Sequence, residues 1–255
     1  MKVIFVGGGP GDPELLTIKA ERLLRNCRCC IYAGSLISPQ VLALVPAAAE
    51  KHDSAGLTLA QTIRICRKAK LRKVNVVRLH SGDPSIYGAI QEQMKALEAL
   101  GIDYEVVPGV SSFLAAAASL RQELTLPGVS QTVILTRLGE KTPVPEKESL
   151  KTLAESRATL CLFLSAQQLK KAVEELLPFY GADCPAAVIY KSTWKEEKII
   201  RAPLSELAQK TTKEGIKKTA LVIVGWVLAS TTACGVTASG SGPATFERSR
   251  VYQSR

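Results

Sequence analysis

The stretch Met1-Lys2-Val3-Ile4-Phe5-Val6-Gly7-Gly8-Gly9-Pro10-Gly11-Asp12-Pro13 decides how the rest of the chain is read. Its apolar run Val3–Val6 predicts a buried strand that leads directly into glycines. Glycines at the carboxyl end of a strand let the backbone take positive φ and come close to a ligand. In open α/β sheets, ligands gather at that edge. Taken alone, the turn is equally a tight strand-to-helix connection. Pro13–Asn26 follows as an amphipathic helix, with Leu15, Leu16, Ala20, Leu23 and Leu24 at helical spacing.

Two further strands end the same way. Val74–Leu79 runs into His80-Ser81-Gly82-Asp83-Pro84-Ser85-Ile86-Tyr87-Gly88, and Tyr104–Val107 into Pro108-Gly109-Val110-Ser111-Ser112. Ser85 is placed to cap a helix over Ser85–Leu100 that stops at Gly101, and Ser111–Leu120 is a helix of small residues. Asp83 reads either as a turn former or as a site residue, and the Ser111-Ser112 pair either as a helix cap or as a ligand contact. Cys29–Tyr32 adds a strand and Thr58–Ala69 a helix capped near Thr58. Alternating strands and helices predict parallel pairing with right-handed crossovers, so the three loops share one sheet edge.

That edge is not a dinucleotide site. The third glycine of a G-x-G-x-x-G fingerprint is replaced by Asp12, whose charge would repel a pyrophosphate, and Pro13 lacks an N–H to bind one. Tyr32-Ala33-Gly34 ends the second strand without the acidic residue that would hold a ribose.

A second series follows. Strands are expected at Thr132–Thr136, Thr159–Leu164, Ala187–Tyr190, Ile199–Arg201 and Ala220–Gly225, with helices at Gln167–Leu177 and Pro203–Lys210. The expected division is an N-terminal α/β domain over 1–114, a C-terminal α/β domain over 115–228, and a mobile tail over 229–255. The tail is rich in Ser, Thr, Ala and Gly and then basic, a composition that buries too little surface to offset ordering entropy.

The 255 residues carry a formal charge of +10, which favours anionic partners, but only 5% are aromatic, leaving little material for base-stacking platforms. No apolar run approaches the roughly 18 residues of a membrane span, and no secretory leader is apparent, so a cytoplasmic protein is expected. Cys27-Arg28-Cys29-Cys30 reads as a helix end entering a buried strand, its thiols packing as small hydrophobes. With only His52 and His80 available and no ligand spacing in the cysteines, no metal site is expected.

Together the three loops resemble the tetrapyrrole methyltransferase superfamily, and the similarity runs from Lys2 to about Gly225. Several stretches are most similar to its precorrin-4 C11-methylating branch: Tyr32-Ala33-Gly34-Ser35-Leu36, Asp53-Ser54-Ala55-Gly56, Glu123-Leu124-Thr125-Leu126-Pro127, Ser130–Arg137 and Thr142-Pro143-Val144-Pro145. The resemblance implies two α/β domains with an S-adenosylmethionine cleft between them. By the same implication Pro10, Ser81, Gly82, Asp83, Ile86, Ser111, Ser112, Leu164, Ser192 and Ala220 contact the cofactor. Ser35, Arg137 and Lys141 would meet a carboxylate-rich tetrapyrrole. A homodimer without nucleic-acid or membrane partners is implied as well. Two departures stand out: Gly8 where relatives often carry alanine, and the cysteine cluster in place of aliphatic strand residues.

Methyl transfer from a sulfonium is an in-line displacement, so orientation can supply much of the acceleration. The chain agrees in having no Ser-His-Asp or Cys-His arrangement at recognisable spacing. Asp83, Asp53 and His80 are the candidates for taking up the proton released from the ring. Two readings compete: an RNA ribose methyltransferase of the same superfamily, and a cofactor-binding module without turnover.

Overall fold

The computed structural model describes residues 1–139 and 142–230; the Lys141 contact and the tail from residue 231 lie outside the described residues. The chain separates into two compact units. The first comprises Met1–Ala115 with Thr193–Lys195, and the second Ala116–Ser192 with the chain from Glu196.

In the first unit the elements run β1 (Lys2–Gly7), α1 (Ile18–Arg25), β2 (Cys29–Tyr32), α2 (Pro39–Leu42), β3 (Glu50–Asp53), α3 (Leu59–Leu71), β4 (Val76–His80), α4 (Ile90–Glu98) and β5 (Asp103–Val107). α5 (Ser112–Leu120) begins here as well. The sheet order is β3-β2-β4-β1-β5, and every pair is parallel, as the alternation of strands and helices predicts. Period-two alternation divides the strand side chains between two cores. Ile4, Val6, Cys30, Val77 and Leu79 pack with Leu24 of α1, while Val3, Phe5, Cys29, Ile31 and Val76 pack with Cys66 of α3 and Leu97 of α4. Both faces of the sheet are therefore covered, which explains strands that read as continuous apolar runs.

Helix starts follow the capping chemistry. Thr58 and Gln61 form a reciprocal capping box at α3, where the cap was expected. The helix expected from Pro13 is instead a single 3-10 turn, Pro13–Leu15, followed by a fresh start at α1. Thr17 accepts from Ala20 N and so caps that second start. The helix expected from Ser85 begins only at Ile90. Asp83 Oδ1 binds Ser85 N at 2.8 Å, and Tyr87 and Ala89 have φ of 56° and 49°, so the backbone cannot turn helical until it has passed them. Ser85 therefore caps nothing. β3 lacks apolar residues and was not legible as a strand.

The second unit holds β6 (Val133–Arg137), α6 (Leu150–Ala154), β7 (Thr159–Phe163), α7 (Leu169–Tyr180), β8 (Pro185–Tyr190), β9 (Lys198–Pro203), α8 (Leu204–Lys213) and β10 (Ala220–Val224). Its sheet order is β6-β7-β10-β8-β9; β6 and β7 are parallel, and the other pairs are antiparallel. Leu160, Leu162, Val188, Val222 and Val224 form its core with Leu150 of α6, Leu176 of α7 and Leu207 of α8.

Candidate functional site

At the carboxyl ends of β4, β1 and β5 the three loops meet at backbone contact. Gly8 N donates to His80 O at 2.7 Å, and Gly9 and Gly82 exchange both backbone hydrogen bonds, at 3.2 and 2.7 Å. Positive φ at Gly9 (65°) and Gly82 (62°) makes that exchange possible. A Cβ on Gly109 would lie 2.3 Å from Gly82 O and 2.8 Å from Gly7 Cα. One on Gly7 would lie 2.5 Å from Gly109 N. The glycines at 7 and 109 are thus demanded by the approach of three chains, not by turn geometry alone.

The glycine-rich loop has little donor capacity to spare. Gly8 and Gly9 spend their N–H groups on the β4 loop, Pro10 has none, and Asp12 N donates to Thr193 Oγ1 at 3.0 Å. Its carbonyls are gripped too: Ser38 Oγ donates to Gly11 O at 2.5 Å and Trp194 Nε1 to Pro10 O at 2.8 Å. A phosphate cradle needs N–H groups free to point at the anion. The loop is instead a rigid surface suited to a ligand without phosphate. Thr193 and Trp194 were not legible as site residues. Their one signal is a tryptophan, one of two in the chain, lying in a polar segment between strands.

Asp83 is where sequence reasoning put it, but it does a different job. Oδ1 accepts from Ser85 N and Oδ2 from Gly109 N, both at 2.8 Å, so the carboxylate clamps the β4 loop to the β5 loop. Each carboxylate oxygen thus holds one backbone donor, an arrangement that positions the two loops. His80 is a poor candidate for taking up a proton. It is 5% exposed at the end of β4, and burial, with help from Arg78, depresses its pKa to about 3, leaving a neutral and weakly basic imidazole. Asp53 ends β3 with an exposed side chain; its Oδ1 accepts from Ala55 N at 2.8 Å.

The linkage sign for His80 gives a test. Its folded pKa lies below the unfolded 6.5, so the unfolded chain binds the proton first and stability falls as pH drops from about 6.5 to about 3. The loss approaches about 1.4 kcal/mol per pH unit inside that window. His80→Asn is expected to flatten this acid limb, read as denaturation midpoints at pH 7 and pH 5. An unchanged limb would assign the acid sensitivity to other groups.

The remaining first-unit candidates lie around the same loops. Pro10 and Ser111 are buried, and Ser81, Ile86 and Ser112 are half-buried. The ideal Cβ of Gly82 would sit 3.6 Å from both Ser111 Cα and Ser112 N, placing that peptide beside the start of α5. Ser35 is exposed in the turn after β2.

In the second unit the register gathers three candidates at one sheet end. Ala220 pairs with Tyr190, two residues before Ser192, and extending the β10–β7 ladder puts Ala220 opposite Leu164. Leu164 is 66% exposed with φ of 53°. Ser192 is buried beside Ser119 Oγ at 3.2 Å, and Ser119 Oγ donates to Glu197 Oε2 at 2.9 Å. Arg137 ends β6 and gives Nη2 to Thr142 O at 3.0 Å.

Comparison with known proteins places these observations. The family model of tetrapyrrole (corrin/porphyrin) methylases matches residues 2–208. The chain is 51% identical over 228 residues to a cobalt-precorrin-4 C(11)-methyltransferase of Methanocaldococcus jannaschii, covering 89% of this chain and 88% of that one. It is 50% identical to a precorrin-4 C(11)-methyltransferase of Pseudomonas aeruginosa, with coverage of 90% and 92%. The solved structure of a cobalt precorrin-4 methyltransferase superposes with a TM-score of 0.86 at 42% identity, covering 89% and 95%. A Thermus thermophilus uroporphyrin-III C-methyltransferase complexed with S-adenosyl homocysteine gives 0.77 at 31% identity, covering 89% and 99%.

Proposed function

The chain belongs to the tetrapyrrole (corrin/porphyrin) methylases, and from that premise we propose that it transfers a methyl group from S-adenosylmethionine to C-11 of precorrin-4 or its cobalt form in cobalamin biosynthesis. The observation that carries this reading is identity over nearly the whole chain to enzymes named for that reaction. S-adenosylmethionine supplies a methyl already activated on a sulfonium, so the protein needs no covalent nucleophile. What the chain must supply is orientation, worth several kcal/mol when reacting atoms are held about 3–3.5 Å apart.

A glycine loop with most of its N–H groups already engaged fits a donor that carries no phosphate. In the first unit the reading assigns cofactor contacts to Pro10, Ser81, Gly82, Ile86, Ser111 and Ser112, with Asp83 holding the loops. In the second it assigns them to Leu164, Ser192 and Ala220. Ser35 and Arg137 are assigned to the substrate. Of the three candidates for the released proton, Asp53 is the one left with an exposed carboxylate. The same reading takes the enzyme as a cytoplasmic homodimer without nucleic-acid or membrane partners; no described helix is long and apolar enough to cross a membrane.

Methyl-labelled S-adenosylmethionine offered with precorrin-4, its cobalt form and total RNA in parallel tests the proposal. Label is expected in a tetrapyrrole, and the preferred form fixes the metallation state of the substrate. Label in RNA alone would overturn the corrin assignment, and binding without any transfer would overturn catalysis.

A further inference from the structure

The absence of ligand spacing in the sequence does not survive folding, because the β2–β3 pairing brings donors together that lie about twenty residues apart. Cys29 pairs with Glu50 and Ile31 with His52, so Cys29, Glu50 and His52 project from one face of the parallel ladder. Their donor atoms, one sulfur, one carboxylate oxygen and one imidazole nitrogen, all lie within 4.8 Å of one another. His52 Nε2 is 3.6 Å from Glu50 Oε2, too long for a hydrogen bond, and it is a buried nitrogen with no hydrogen-bond partner. The unpartnered Nε2 adds an imidazole donor to a carboxylate and a sulfur that lie close enough to share one cation.

We propose that Cys29, Glu50 and His52 form a three-ligand site for a borderline-soft divalent cation such as Zn2+, at the β2–β3 edge of the first unit. The donor set is the one such an ion takes, with bonds of about 2.0–2.3 Å that call for donor separations slightly shorter than those present. Charge matches as well: a thiolate, a carboxylate and a neutral imidazole cancel a 2+ ion. Arg72, whose Nη2 donates to Glu50 Oε2 at 2.9 Å and whose Nη1 reaches Oε1, fixes the orientation of the carboxylate, whose oxygens each keep a second lone pair for the ion. Burial, with the Glu50 charge adding, pushes the Cys29 thiol up to about 11, so metal binding forms the S–metal bond by releasing the thiol proton to solvent. A cavity of about 550 Å³ lies next to the cluster, reaching Glu50 and its partner Arg72. The site is separate from the glycine loops, since β2 and β4 stand between β3 and β1. Its effect would be to staple an edge strand that is only four residues long and has β2 as its one strand neighbour in the sheet.

The test uses the full chain, stripped with a chelator, dialysed against Zn2+ and desalted, with Co2+ as the optical probe. One equivalent of zinc is expected to remain, and cobalt is expected to give a near-ultraviolet thiolate-to-metal band. His52→Ala, at a partly exposed position that leaves the core intact, is expected to weaken zinc binding at least about tenfold. Cys29→Ser is expected to abolish the cobalt band. Zinc retained equally well by His52→Ala, or not retained by the unaltered chain, overturns the site.

Discussion

Gly109→Ala is expected to cost about 2–3 kcal/mol of stability and to slow methyl transfer by about 100-fold. The added methyl would meet Gly82 O at 2.3 Å and Gly7 Cα and C at 2.8 and 2.9 Å. All three are backbone atoms, so no rotamer change relieves the clash; the β1, β4 and β5 loops must part. Parting them breaks the Gly109 N–H bond to Asp83 and disturbs the Gly9–Gly82 exchange beside it. A misplacement of about 1 Å at a site that works by orientation suffices for the loss in rate. Gly56→Ala is the control, because its methyl would meet nothing within 4 Å and its φ is not positive. It is expected to stay within about 0.5 kcal/mol. Denaturant midpoints, calorimetric cofactor binding and single-turnover transfer read the two variants; a Gly109→Ala protein that binds cofactor within twofold of the original would sink the argument.

Asp83→Ala is expected to weaken cofactor binding about tenfold or more and to lower stability by about 1–3 kcal/mol. Two backbone donors, Ser85 N and Gly109 N, lose their acceptor at once. Asp83→Asn fares better in shape but turns an amide N–H2 toward one of those donors, so it is expected to lie between alanine and the original. A proton acceptor would behave differently. Its removal would collapse kcat and delete the acidic limb of the pH–rate profile while leaving cofactor affinity intact. Finding that pattern would return Asp83 to chemistry.

The first sheet was legible because its inner strands are buried on both faces and are rich in apolar residues, with glycine at or soon after their ends. β3 escaped for the opposite reason: Glu50-Lys51-His52-Asp53 at a sheet edge buries little, so no apolar signal marks it. Periodicity also does not distinguish parallel from antiparallel neighbours, which is why the antiparallel pairing of β7, β8, β9 and β10 was not foreseen. At the site, the glycine positions were readable from strand ends, whereas their reasons were not. The clash partners of Gly7 and Gly109 lie on other loops, and the hold of Thr193 and Trp194 on Gly11 and its neighbours spans more than 180 residues. The low basicity of His80 is not legible in the sequence, because depth of burial, which sets it, depends on both neighbouring strands. The grouping of Cys29, Glu50 and His52 is not legible in the sequence because strand register, not sequence spacing, assembles it.

The place of β1 in the middle of its sheet also bears on how the protein is made. β1 leaves the ribosome before any other described element, yet its partners β4 and β5 end only at His80 and Val107. At roughly 5–20 residues per second, synthesis of about 100 further residues takes on the order of 5–20 s. Until β4 has been made, Val3–Val6 is a wholly apolar β-segment without either of its strand partners, the kind of exposed edge that recruits other chains. Slowing translation between residues 8 and 80 is therefore expected to lengthen the aggregation-prone window without changing the finished fold.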